Sequence, residues 1–187
     1  MILKSFPSLY ITEAYMKAPA HITPSLSDTI QPARPRRLIR KERLTLTEKP
    51  YRGDVDGSEK DFFFNYHGGS ERLYVFEAPI DMLSFITLNK REGWQKHSYL
   101  ALGCTAPLAL LRFLSEYLGI HQIVLCMDND AAGIKADAII QETLHRLSQG
   151  MYVEDLSEET REQLQRPYEV SILKSIKKDW NDDLKYG

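Results

Sequence analysis

The run Ile123-Val124-Leu125-Cys126-Met127-Asp128-Asn129-Asp130-Ala131-Ala132-Gly133 decides how the rest of the chain is read. Its first five residues are apolar, a length that suits a buried strand and is short for a buried helix. From Ala131 the apolar spacing lengthens to a helical period, with Ala132, Ala136, Ile140, Leu144 and Leu147 aligned. The expectation is a strand over 122–127, an acidic turn, and a helix over 131–147. Asp128 and Asp130, two apart, lie on one side of an extended chain. The first amides of the helix face the same way, and Gly133 allows a backbone or a phosphate to approach closely. A plainer alternative makes Asp130 a helix cap and Asp128 a turn residue.

The same grammar recurs on both sides. Residues 73–76 read as a strand, Glu77 follows, and 79–88 reads as a helix with Pro79 in its first turn, where a missing N–H costs little. A strand over 98–102 precedes a helix over 107–118, opened by Pro107, with Leu108, Leu111, Leu114 and Leu118 on one face. Ser157 suits the cap of a short helix through Leu164, and 169–173 reads as a fourth strand. Strands alternating with helices imply a mainly parallel four-stranded sheet flanked by helices.

In such sheets the strand C-termini line one crevice, which would gather Glu77, Asp128 and Asp130. Glu is a poor helix cap, and half-burial of Glu77 costs roughly several kcal/mol unless its charge is offset. Carboxylates that share a crevice repel one another unless a divalent cation neutralises them. The pattern therefore points to a metal site. Asp81, a turn further on, complements the dipole of its helix. The tail adds Asp179, Asp182 and Asp183 around Trp180 and Leu184. Composition alone suits a disordered terminus, whereas Trp180 and Leu184 suit a segment folded back on the body.

With 187 residues, 43% of them hydrophobic, the chain can bury one ordinary core plus an appendage. Residues 1–50 are interrupted by Pro7, Pro19, Pro24, Pro32 and Pro35 and read as an arm or linker, with a short helix around 11–17. Their basic run Arg34, Arg36, Arg37, Arg40, Lys41 and Arg43 fits phosphate contact and a solvated arm about equally. Residues 51–66, turn-rich and then aromatic, suit a hairpin or edge strand. Cys104 and Cys126 read as free buried thiols, and two cysteines cannot form a four-ligand zinc site alone. No signal peptide or spanning stretch is visible, so a cytoplasmic protein with no membrane partner is expected.

As a set, these motifs resemble the Toprim domain of primases, type IA and type II topoisomerases and several nucleases. Glu77 matches the family's first acidic position; Asp128 and Asp130, with Ala131-Ala132-Gly133, match its Asp-x-Asp. Lys178-Asp179-Trp180-Asn181-Asp182-Asp183-Leu184 looks like the closing motif of primase-like members carried by plasmids and conjugative elements. The resemblance covers roughly 51–184. It implies a Toprim-like, Rossmann-like fold and binding of Mg²⁺ (or Mn²⁺) by Glu77, Asp128 and Asp130 together with a tail acid, Asp179 or Asp182, with Asp183 as a further alternative. Glu77, Asp128 and Asp130 would be the catalytic residues for phosphoryl or nucleotidyl transfer on nucleic acid. Arg34, Arg36, Arg37, Arg40, Lys41, Lys135 and Lys178 are the candidate nucleic-acid contacts, although a solvated helix face also suits Lys135. Nucleotides and single-stranded DNA are the implied ligands, and a helicase, relaxase or zinc-module protein the implied partner. The chain has neither the cysteines for a zinc module nor the length for a polymerising subdomain. A non-catalytic accessory module and a nuclease are the alternatives, and a phospho-acceptor receiver is a third.

Overall fold

The computed structural model describes residues 64–187, except 91–92, 104–106 and 155, together with the backbone of two short strands nearer the N-terminus. Those strands, β1 (Ile39–Arg40) and β2 (Gly53–Asp54), pair antiparallel. The rest of the expected arm lies outside the described residues. So do Cys104, the expected helix near 11–17 and the side chains of Arg34, Arg36, Arg37, Arg40, Lys41 and Arg43.

The sheet has five strands. Four are those the periodicity predicts: β4 (Arg72–Phe76), β5 (Ser98–Ala101), β6 (Gln122–Leu125) and β7 (Glu169–Ile172). They run parallel in the order β5-β4-β6-β7. The fifth, β3 (Asn65–Tyr66), comes from the end of the aromatic run and joins β5 antiparallel as an edge. An edge strand needs one apolar face and no long partner, and Tyr66, set against the Trp94 and Tyr99 rings, supplies that face.

Five helices among the described residues cover the sheet: α1 (Pro79–Leu88), α2 (Leu108–Glu116), α3 (Ala131–Ser148), α4 (Glu158–Leu164) and α5 (Trp180–Tyr186). Ser157 caps α4 by accepting from the Thr160 amide at 3.2 Å, as its sequence position predicts. One face of the sheet packs Leu73, Val75, Leu100, Ile123 and Leu125 against α2, α3 and α4. The other packs Phe76, Tyr99, Ala101 and Cys126 against Met82 and Phe85 of α1 and Trp180 of α5. Successive strand residues alternate between these two layers, the period of two that a sheet buried on both faces requires.

Two apolar stripes differ from the expected ones. On α2, Leu108 is 38% exposed, and Leu118, beyond the helix end, is 52% exposed. Leu111 and Leu114 are buried as expected, but Ala109, Leu110 and Phe113 complete the buried face, and α2 ends at Glu116, two residues before Leu118. On α3, Ala132 is exposed and Gly133 takes its place against the body. No helix among the described residues is long and apolar enough to cross a membrane.

Candidate metal centre

Strands β4 and β6 are hydrogen-bonded neighbours, with Val75 opposite Leu125. Glu77 and Asp128 leave them at the same end of the sheet, and neighbouring strands are only ~4.8 Å apart. Beyond β7 the chain loops back, the Lys178 carbonyl accepting from the Asn129 amide at 2.7 Å, and Asp179 opens α5 beside the same crevice. Acidic groups distant in sequence are thus brought to one end of the sheet.

Asp130 is the N-cap of α3; its Oδ1 accepts from the Ala132 and Gly133 amides, each at 3.0 Å. The capping reading of the sequence therefore holds for this oxygen. Its Oδ2 faces Lys178 Nζ at 3.8 Å. The Gly133 amide, followed by the Ala132 amide and the Lys178 and Lys174 charges, holds the Asp130 carboxyl below the usual range against some desolvation. Gly133 itself is required by crowding: a Cβ there would stand 2.1 Å from the Asp128 carbonyl oxygen. Gly133→Ala should force the start of α3 off the Asp128 peptide, at about 1–3 kcal/mol for overpacking. Chemical denaturation checks this, with a lower midpoint expected.

Burial pushes the Asp128 carboxyl up to about 7, and the charges of Asp81, Glu77, Asp179 and Asp130 add to the effect. Burial also raises Glu77, reinforced by Asp130 and opposed by Lys178 and Lys174. Asp81 is 4% exposed and accepts from the Asn181 amide at 3.1 Å, joining α1 to α5. Burial lifts it to about 6; the Asn181 amide opposes this, and Asp179 and Glu77 add to it. Asp81 thus does more than complement a helix dipole.

The three tail acids part company. Asp179 caps α5, accepting from the Asp182 amide at 2.7 Å, and its charge reaches Asp128 and Asp81. Asp182 lies 3.9 Å from Lys185 on the helix surface. Asp183 is buried and accepts from the Ile176 and Lys177 amides at 2.8 and 2.7 Å, closing the loop before α5. Trp180 inserts between α1 and the sheet and donates Nε1–H to the Cys126 carbonyl at 3.0 Å, so the tail is folded onto the body. Lys135 and Lys178 are exposed.

Sequence reasoning missed Lys174. Its ammonium donates to the Met127 and Asp128 carbonyls at 3.2 and 3.1 Å and pairs with buried Asp137 at 2.6 Å. The available signal was Asp137 itself, an acid on the buried stripe of α3 that demands a cation.

Glu77 Oε2 and Asp128 Oδ1 are buried with no hydrogen-bond partner. Orphaned carboxylate oxygens in a crevice of mutually raised acids are hard ligands of the kind a small divalent cation takes. Among the described residues, no three His, Cys, Asp or Glu side chains are already gathered in a geometry that holds an ion.

A family pattern described as Toprim-like matches residues 74–184. Among solved structures, the primase fragment of the bacteriophage T7 primase-helicase protein is similar, with a TM-score of 0.40 at 20% identity, over 62% of this chain and 39% of that one. So is a chain from bacteriophage T7 lagging-strand DNA polymerase interacting with primase domains bound to an RNA/DNA hybrid and dTTP. That match has a TM-score of 0.45 at 16% identity, over 72% of this chain and 59% of the other. This chain spans less than two thirds of either of them. No curated protein matches it. The matched stretch holds every strand from β5 to β7, most of β4 and the whole acidic crevice, and on it the protein belongs to the Toprim-like family.

Proposed function

We propose that the crevice binds Mg²⁺ or Mn²⁺ and supports phosphoryl or nucleotidyl transfer on nucleic acid, in the manner of a primase. The observation that carries this reading is the pair of orphaned oxygens, Glu77 Oε2 and Asp128 Oδ1, in a group of acids that raise one another. Asp128 and Glu77, with Asp130 Oδ2 and Asp179, would hold the ion. When bound, it supplies stabilisation of negative charge developing on a phosphodiester. Glu77, raised by burial, exchanges a proton nearer neutrality than a free glutamate and suits general acid–base duty. Lys178, exposed at the mouth and close to Asp130, suits a phosphate of the nucleotide or template once the ion offsets that acid. The basic run from Arg34 to Lys41 suits the backbone of single-stranded DNA. Replication or transfer of a mobile element, with a helicase, relaxase or zinc-module partner, is the setting that agrees with the motifs.

A binding module without catalysis is the second reading. It is favoured by Asp130, whose Oδ1 is already spent on capping α3. One assay separates the two: the full chain with nucleoside triphosphates, single-stranded templates and Mg²⁺ or Mn²⁺, beside nuclease controls. Ion-dependent product that falls at least about 100-fold in Asp128→Asn is expected for removal of an ion ligand. Ion-dependent template binding without product selects the accessory module, and turnover indifferent to both ion and Asp128 overturns the proposal.

A further inference from the structure

Lys174 is placed where a phosphate-binding lysine is easily imagined, two residues past β7 and beside the acids. Its contacts say otherwise. An ammonium has three N–H donors, and here the Met127 carbonyl, the Asp128 carbonyl and Asp137 Oδ2 take them. Both partners are largely withdrawn from water, with side-chain exposures of 24% for Lys174 and 4% for Asp137. Nothing is left over for a substrate.

What the three contacts grip is the exit of β6. The Asp128 carbonyl oxygen, which Lys174 holds from one side, is the same atom that leaves no room for a Cβ at Gly133. The next residue is also fixed: the Asn129 amide donates to the Lys178 carbonyl, and its Nδ2 donates to the Ser175 carbonyl at 3.3 Å. The Asp128 peptide is therefore clamped between the start of α3, the loop after β7 and the buried pair. Its own side-chain oxygen, Oδ1, has no partner. Main chain held on every side beside a free carboxylate is the arrangement expected of a ligand kept in aim by its supports.

Resting on the metal reading of the crevice, we infer that the Lys174–Asp137 pair is a positioning device: it fixes the Asp128 peptide so that the Asp128 carboxylate meets the incoming divalent cation. Charge alone predicts the opposite role. A lysine beside an acidic crevice repels a cation, so Lys174→Met would tighten ion binding if Coulomb repulsion were its main effect. As a positioning group, its loss loosens binding, by roughly 10- to 100-fold, as for other groups that orient a metal ligand.

The decisive variant is the double one, Lys174→Met with Asp137→Leu. It removes both charges together, keeps the net charge of the region, and replaces a buried ion pair with apolar volume, an exchange that is often neutral or stabilising. Mn²⁺ titration of the full chain, by calorimetry or by the resonance of the free ion, is expected to show 10- to 100-fold weaker binding at an unchanged or higher melting temperature. Wild-type affinity in the double variant overturns the inference and leaves the pair a purely structural contact. Lys174→Arg, which keeps the charge and can still reach the carbonyls, is expected to retain most of the affinity.

A second readout does not need the ion. In metal-free protein, hydrogen exchange of the Asn129, Ala132 and Gly133 amides should quicken about 10-fold in the double variant while exchange in the sheet stays slow. Unchanged protection there overturns the inference. If wild type itself takes up no Mn²⁺, the metal reading of the crevice fails, and the exchange arm alone decides whether the pair clamps the Asp128 peptide.

Discussion

Asp128→Asn should abolish measurable Mn²⁺ binding and, at the same time, stabilise the ion-free protein. The two effects have one cause. The carboxyl rises from 3.8 to about 7 because it is buried among Asp81, Glu77, Asp179 and Asp130. At ~1.4 kcal/mol per unit, roughly halved for a partly solvated group, holding that charge near pH 8 costs about 2 kcal/mol. Asparagine keeps the shape and drops the charge. The pH dependence follows in sign. Asp128, Asp81 and Glu77 all bind their protons more tightly folded than unfolded. Their contribution to stability is therefore fully present below about pH 4 and is lost as the pH rises through about 6 and about 7. Asp130, shifted down, acts the other way, but only below its ordinary range. Thermal unfolding with a chelator should show the midpoint falling between pH 5 and pH 8 in wild type and falling less in Asp128→Asn. Mg²⁺ should restore the loss only in wild type. A variant that is less stable at pH 8, or that still binds Mn²⁺, refutes the account of the crevice.

The largest loss of stability is expected at Trp180. Its indole is 7% exposed, meets Phe85 edge-on at 4.9 Å between ring centres, and caps the Cys126 carbonyl. Trp180→Ala should cost about 3–5 kcal/mol, the usual range for emptying an aromatic site. It should also weaken Mn²⁺ binding, because Asp179 is the adjoining residue and is held by the same helix. Trp180→Phe separates the parts: packing is largely kept, while the Cys126 carbonyl loses its donor at about 1–3 kcal/mol. Urea denaturation of both variants, paired with Mn²⁺ titration, measures this. Near-wild-type stability in the alanine variant would mean that α5 is not part of the core.

What could be read from the sequence was whatever is encoded locally. The inner strands β4, β5 and β6 show as short apolar runs because most of their residues are buried, whereas β7 is a largely exposed edge, and Pro79 and Ser157 mark helix starts by simple backbone chemistry. Glu77 and Asp128 could be placed together because strand ends in a parallel sheet share one edge. The exposed Leu108 and Leu118 show the limit of a spacing argument: several registers of a leucine-rich helix fit one period, and only the packing selects among them. The helical tail was concealed by its charged composition, although Asp179-Trp180-Asn181-Asp182 carries a capping pattern with acid at the first and fourth positions. Lys174 left no pattern, and Asp137 left only a faint one. A buried pair joined only by the fold shows in sequence as one polar residue on an apolar stripe and nothing more.

The chain has two tryptophans, and the fold sends them to opposite ends of the sheet: Trp94 precedes β5, whereas Trp180 lies under the acidic mouth. An indole pinned to the strand carbonyl just before the Met127–Asp128 turn is a native fluorophore for that turn. With Trp94 replaced by phenylalanine, its emission would report cation entry directly, and the molecule would need no attached dye.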